Sequence, residues 1–269
     1  NIQALGATPV LCSVIGEDLD GDDLISLMEN LKMPVEGIVR SSARVTTTKR
    51  RILAGYQHLL RIDNETDKNL NEEETKKLLE KIKSLVNEVD VVIFEDYDKG
   101  VISEEIVSAT VKMCGEKGIP VTVDPKKRNF LSYKGVSLFK PNLKELKEGL
   151  KVDFDPDKIE ELARNVSLLD NHLHANHYLI TLSERGVYIQ SQSEKNHIPA
   201  HKREISDVSG AGDTVISTAS LCYALGLPQK FVAELSNLSG GIVCEYVGVV
   251  PINKQRLLEE AKRLSIEIN

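Results

Sequence analysis

Between Ser206 and Ser217 the chain reads SDVSGAGDTVIS. Three small residues, Gly210, Ala211 and Gly212, stand directly before Asp213, and TVISTASLCYALG continues with a helical look. The strand-like NHIPAHKREIS precedes them, so the small residues fall where a loop enters a helix N-terminus. Free backbone N–H groups and the positive end of the helix dipole attract an anion there, and small side chains let it come close. The chemistry this permits is that of a phosphate held beside a carboxylate. An aspartate in the first turn is also ordinary helix electrostatics, so these four residues alone leave a structural and a catalytic role equally open. Neither a G-x-x-x-x-G-K-S/T loop nor a G-x-G-x-x-G after an early strand is present, which excludes the common nucleotide loops and a Rossmann dehydrogenase.

The elements that must position this stretch follow an alternating pattern. With 269 residues, 41% hydrophobic and 28% charged, the chain can bury a full α/β core. Strand-like VLCSVIG, DVVIFED, IPVTVDP, VSLFKPN and YLITLS alternate with the amphipathic DDLISLMENLK, EEETKKLLEKIKSLVNEV and EEIVSATVKMCGEKG, and with helices expected from about Leu143 and about Asp157. That order predicts a parallel sheet with crossover helices. The segment from Glu36 to Asp63 breaks the rhythm. Its β-branched residues and turn signals predict two to four antiparallel strands projecting from the main sheet. SLLDNHLHANH reads as a polar loop, and its His172, His174 and His177 lack the Cys or carboxylate pattern of a zinc site.

A net charge of -7 without a Lys/Arg-rich run argues against nucleic acid or an anionic membrane surface as the main partner. Four scattered cysteines without a CxxC pair read as reduced thiols, and no apolar run reaches the roughly 18 to 20 residues needed to cross a bilayer. A cytoplasmic protein is the expectation.

Taken whole, DVSGAGDTVIS resembles the C-terminal motif of the ribokinase family, the PfkB-type carbohydrate kinases. The resemblance implies a ribokinase-like three-layer sandwich with a mostly parallel central sheet and a small projecting β lid. It further implies a single domain over residues 1–269, with residues 36–63 as lid and dimerisation segment. It makes Gly210, Ala211 and Gly212 an anion hole for the γ-phosphoryl group of ATP, and Asp213 the base that deprotonates a sugar hydroxyl. KPNLKEL resembles the family's N-x-x-E motif, which makes Asn142 and Glu145 organisers of Mg²⁺, with Glu145 the metal-side residue. Independently, Asn142 reads as a helix N-cap with Glu145 at the third position, as in a capping box. TLSERG resembles the T-x-G-x-x-G turn beside the nucleotide through Thr181 and Gly186, with Ser183 where many members have glycine. SNLSGG and GVVP place Asn237, Gly240 and Gly248 at the adenine, although helix packing accounts for the glycines equally well.

A narrower resemblance joins TTTKRRILAGYQHLLRID, FEDYDKGVIS and VDPKKRNFLSYKGVSLFKPNLKE to family members that phosphorylate D-glycero-β-D-manno-heptose 7-phosphate at C1. It implies Lys49, Arg51, Arg61 and Lys99 for the substrate phosphate, and Gln57 and Asp63 for hydroxyls. Asp124 and Lys126 of VDPKKR join the sugar side, where a structural role at a strand end is equally open. Some such kinases carry a fused nucleotidyltransferase, whose H-x-G-H motif does not occur here. The family's opening strand, with a sugar-binding aspartate and a Gly-Gly-Ala-x-Asn-type segment, is expected in a natural portion of several dozen residues before Asn1. Antiparallel strands with exposed edges also predict a homodimer through residues 36–63. The competing readings are another sugar kinase of the same fold and a non-catalytic relative serving as scaffold or sensor.

Overall fold

A crossover helix between two strands fixes them parallel, and the chain opens on such a unit. In the computed structural model, which describes residues 1–54 and 57–268 and only the backbone of Leu53, Gln57 and His58, a short helix α1 (Ile2–Leu5) precedes β1 (Ser13–Gly16). Helix α2 (Leu19–Asn30) returns the chain to β2 (Ile38–Ser41), which pairs parallel with β1. Residues 38–41 were expected to be antiparallel. They are parallel because α2 serves as the crossover of a β-α-β unit. The antiparallel expectation holds for β3 (Thr48–Ala54) and β4 (Gln57–Asn64), whose register shifts between Ile52 and Leu53. Helix α3 (Glu72–Leu85) follows, opened by a capping box of Asn71 and Glu74.

The second half builds a six-stranded sheet from β5 (Val92–Glu95), β6 (Val121–Asp124), β7 (Leu138–Phe139), β8 (His177–Thr181), β9 (Val187–Gln190) and β10 (Lys195–Ile198). They lie in the order β10-β9-β8-β7-β6-β5, parallel from β5 to β8 and antiparallel from β8 to β10. All four residues of β6 are buried, as expected for a strand covered on both faces. The helices of this part of the chain are α4 (Glu104–Gly115), α5 (Leu143–Leu150), α6 (Ile159–Leu173), α7 (Ala211–Ala224), α8 (Gln229–Val243) and α9 (Lys254–Arg263). Leu138, Leu179, Val187 and Ile189 of the sheet pack with Val215, Ile216 and Ala219 of α7 and Val232 and Ala233 of α8. Each fully buried Val, Leu or Ile adds about 1.5–3 kcal/mol.

The expected SLLDNHLHANH loop is the end of α6, because Val166, Leu169 and Leu173 continue the apolar stripe into the core. His174 ends the helix in a left-handed conformation, and His177 starts β8, where its Nδ1 lies 2.9 Å from the Tyr223 hydroxyl. Strand β10 is shorter than the eleven residues of NHIPAHKREIS, ending before Pro199, which has no N–H to give a ladder.

The chain forms two compact units, one comprising Thr8–Asn87 and Asp98–Thr110 and the other comprising Asn1–Ala7, Glu88–Tyr97 and the chain from Val111 onward. Among the described residues, no helix is long and apolar enough to cross a membrane.

Candidate active site

Helix α7 begins without a side-chain cap. Its N-cap residue, Gly210, has φ 79°, a left-handed conformation that glycine adopts without steric cost, and a Cβ there would stand 3.1 Å from Val249 Cγ1. Asp207 accepts from the N–H groups of Ser209, at 2.9 Å, and Gly248, at 3.0 Å, tying the loop before the helix to a distant turn. These bonds hold its carboxyl below the usual range. Behind the first turn α7 is deeply packed, with Thr214 to Ser220 all buried. The small residues leave this helix start without a side-chain cap, and the Ala211 N–H is taken up by the Val208 carbonyl at 3.2 Å.

Asp213 lies among groups that the parallel sheet delivers to one edge. Glu95 closes β5 and Asp124 closes β6, directly opposite each other in the register. One carboxylate oxygen from each of Glu95, Asp124 and Asp213 lies within 4.8 Å of the others, and no other such group of His, Cys, Asp or Glu occurs among the described residues. Lys140, just after β7, answers this charge: its Nζ is 3.0 Å from Asp124 Oδ2, with both side chains almost wholly buried. Gly212 faces the same pair, since a Cβ there would lie 3.6 Å from Asp124 Oδ2 and 3.8 Å from Lys140 Nζ.

Asp213 accepts hydrogen bonds from the side chains of both Glu95 and Tyr97. Burial, and then the neighbouring Asp124 and Asp213 charges, push the Glu95 carboxyl up to about 9, so at neutral pH it is a neutral acid and a donor. Partial burial and then the Asp213 charge likewise raise Tyr97. The intervening Asp96 points the other way, accepting from Tyr133 Oη at 2.7 Å and Asn129 Nδ2 at 3.2 Å, while its N–H bonds the Asp124 carbonyl.

Asn142 and Glu145 form the expected reciprocal cap of α5: Asn142 Oδ1 accepts from the Glu145 N–H and Glu145 Oε2 from the Asn142 N–H, both at 2.8 Å. Lys126 bridges Glu145 Oε1, at 2.7 Å, to Asp124 Oδ1, at 3.4 Å. Thr181 donates its N–H to the Pro141 carbonyl, which sets the TLSERG turn beside the start of α5. Ser183 sits at φ 54°, in the left-handed region that glycine adopts more readily. Gly186 is obligatory, because a Cβ would come within 2.0 Å of the Ile198 carbonyl oxygen. Asn237 donates to the Pro199 carbonyl at 2.9 Å, Gly248 to Asp207. Gly240 lets α8 approach α7, since a Cβ would stand 2.6 Å from Val215 Cγ2.

In the other unit, Lys49 Nζ lies 2.9 Å from Glu65 and 3.8 Å from Asp63, and Lys99 Nζ lies 2.6 Å from Glu65. Arg61 pairs with Asp63 at 2.9 Å and stands opposite Arg51, which is exposed. Arg50 turns to the other face and pairs with Asp20 at 2.5 Å. Arg44 fixes Lys99 by donating to its carbonyl at 2.7 Å. The Gln57 side chain lies outside the described residues. Sequence reasoning missed Glu65, Glu95, Tyr97 and Lys140, although FEDYDKG, with two acids and a tyrosine at the end of a buried strand, carried a signal for Glu95 and Tyr97.

Residues 1–256 match the pfkB family carbohydrate kinase profile, and the chain belongs to that family of ATP-dependent sugar kinases. It is 36% identical to the bifunctional protein HldE of Methylobacillus flagellatus over 261 residues, 97% of this chain and 53% of that protein. It is 33% identical to the bifunctional protein HldE of Syntrophotalea carbinolica, over 99% of this chain and 54% of that protein. The chain thus spans about half the length of the curated relatives it matches. The fold is that of phosphofructokinase-2 from Escherichia coli in complex with potassium, with a TM-score of 0.81, 18% identity, and coverage of 98% of this chain and 84% of that one. Ribokinase of Arabidopsis thaliana, complexed with ribose and ATP, has a TM-score of 0.74 at 15% identity, covering 95% and 82%.

Proposed function

We propose that the chain transfers the γ-phosphoryl group of ATP to C1 of D-glycero-β-D-manno-heptose 7-phosphate, as a cytoplasmic kinase serving ADP-heptose and lipopolysaccharide core synthesis. The observation that carries the reading is the uncapped start of α7, with the Asp213 carboxylate on its first turn and two O–H donors fixing that carboxylate. The sugar hydroxyl gives its proton to Asp213, its oxygen bonds to the γ-phosphorus, and the bond from that phosphorus to the bridging oxygen breaks to release ADP. The helix start at Gly210, Ala211 and Gly212 stabilises the charge that builds on the transferred group. Thr181, Ser183, Gly186, Asn237, Gly240 and Gly248 belong to the nucleotide side.

Asn142 and Glu145 offer the hard oxygen donors that Mg²⁺ takes. Their oxygens already serve the α5 cap and Lys126, so they suit the ion's water shell better than its inner coordination sphere. Bound Mg²⁺ supplies neutralisation of the triphosphate charge.

Lys49, Arg51, Arg61 and Lys99 are assigned to the 7-phosphate, with Gln57, Asp63, Asp124 and Lys126 toward the sugar. Support comes from the shared motifs and the cations gathered on β3 and β4. An assay of heptose 7-phosphate, ribose and fructose 6-phosphate with ATP should show preferred turnover of the first. Preference for an unphosphorylated sugar overturns the assignment and favours another sugar kinase of the family. Arg51→Ala should raise KM for the sugar phosphate by about 10–150-fold, the worth of a charge-assisted hydrogen bond at about 1.5–3 kcal/mol, with KM for ATP held. Arg50→Ala, whose partner is Asp20, is the control.

The whole chain acts in this reading as one kinase domain with residues 36–63 as its lid. Ile52, Leu60 and Ile62 leave an exposed apolar surface on β3 and β4, which a second copy covers in a homodimer. Light scattering at micromolar concentration checks this, and a monomer refutes it.

A further inference from the structure

We propose that Glu95 is a positioning residue for phosphoryl transfer: its carboxyl, grouped within 4.8 Å of those of Asp124 and Asp213, hydrogen-bonds Asp213 and, with Tyr97, sets the direction of the carboxylate that takes the sugar proton. The inference rests on the reading of Asp213 as the base. Glu95 ends β5 and Tyr97 lies two residues past it; both meet Asp213, while Asp96 between them turns to Tyr133 and Asn129. Asp96 is locked by Tyr133 and Asn129, and its N–H by the Asp124 carbonyl, which makes the segment a rigid mount for the two donors. Asp213 needs such a mount. Its chain neighbour Gly212 offers no side chain to pack against it, and its own helix start carries no cap.

Charge explains why Glu95 keeps its proton. The groups facing it are Asp124 from β6, Asp213 from α7, Lys140 from beyond β7 and Tyr97 from just past its own strand. Lys140 is already committed to Asp124 at 3.0 Å. Ionising Glu95 as well would set three carboxylates against one ammonium in a part-buried site, with Glu95 and Asp124 directly opposed. The proton that relieves this also supplies the O–H that Asp213 accepts. As pH rises through about 9, the donor becomes a repelling charge and Asp213 loses its orientation.

The test compares Glu95→Gln, which keeps an N–H donor without a titrating proton, with Glu95→Ala, which removes the donor. At pH 7.5 the Ala variant should lose about 10²-fold in kcat with KM for ATP held, and the Gln variant should recover most of that loss. Wild-type kcat should fall about tenfold per pH unit above pH 9, and the Gln variant should lack this limb. A Gln variant as impaired as Ala, or one that keeps the wild-type limb, overturns the proposal.

Thermal unfolding gives a readout independent of turnover. The folded Glu95 carboxyl titrates above its ordinary value of 4.5, so its stabilising contribution is full below pH 4.5 and is lost as pH rises toward 9. The Tm of Glu95→Gln should therefore gain on wild type steadily between pH 5 and 9. A constant difference shows that Glu95 holds no proton, and sinks the inference whatever the role of Asp213. Normal turnover of Asp213→Asn in the same assay overturns the base reading instead.

Discussion

Two helices of one unit begin in opposite ways. The N-terminus of α5 is closed by its own side chains, with Asn142 and Glu145 each taking up one of the other's N–H groups. That of α7 is left open behind a left-handed glycine. A cap contributes about 1 kcal/mol, and α7 forgoes it. It can do so because packing holds it: the buried run from Thr214 to Ser220 anchors α7 on β6 and α8, whereas Leu146 is the one fully buried residue of α5. A helix fixed by its flanks is free to present its end to a ligand.

The largest expected effect comes from the open end. Asp213→Asn should lower kcat by about 10²- to 10⁴-fold while KM for ATP stays near its original value, and near-normal turnover would assign the proton to another group. Gly212→Ala should act more gently. The added Cβ meets Asp124 and Lys140 at ordinary contact distance, so Tm should hold or rise, while the methyl group narrows the approach of the anion and lowers kcat/KM for ATP by about tenfold. A falling Tm with unchanged kinetics would make Gly212 a packing residue and erase the contrast.

The closed end gives the smallest effect. Asn142→Ala should cost about 1 kcal/mol, read as a Tm lower by about 2–4 °C. The Mg²⁺ concentration for half-maximal rate sharpens the result. A midpoint that moves beyond the stability loss gives Asn142 a second duty, and one that stays put leaves it a cap alone.

Both helix starts were legible in the sequence because their signals are local. Gly-Ala-Gly-Asp before an apolar run, and Asn followed three residues later by Glu, state their geometry within a single turn. Glu95 and Lys140 were not legible in that way. They read as a strand end and a pre-proline lysine, and they become partners of Asp213 and Asp124 only when β5, β6 and β7 lie side by side. The protonation of Glu95 is further removed still, being a property of its neighbours. The histidine segment was misread for the opposite reason: its polar residues are conspicuous, while Leu169 and Leu173, which decide that it is helix, are spaced as any buried stripe is.

Glu65, held between Lys49 and Lys99, has a bearing on what that surface can admit. The two ammonium groups already own a counter-ion, and it is tethered to the chain. Any anion reaching them enters by exchange. A singly charged ligand offers the lysines nothing that Glu65 does not already supply and must still give up its own water. A doubly charged phosphate brings a surplus. On the proposed assignment of these lysines to the substrate phosphate, the ion pairs favour a doubly charged phosphate monoester over a singly charged carboxylate.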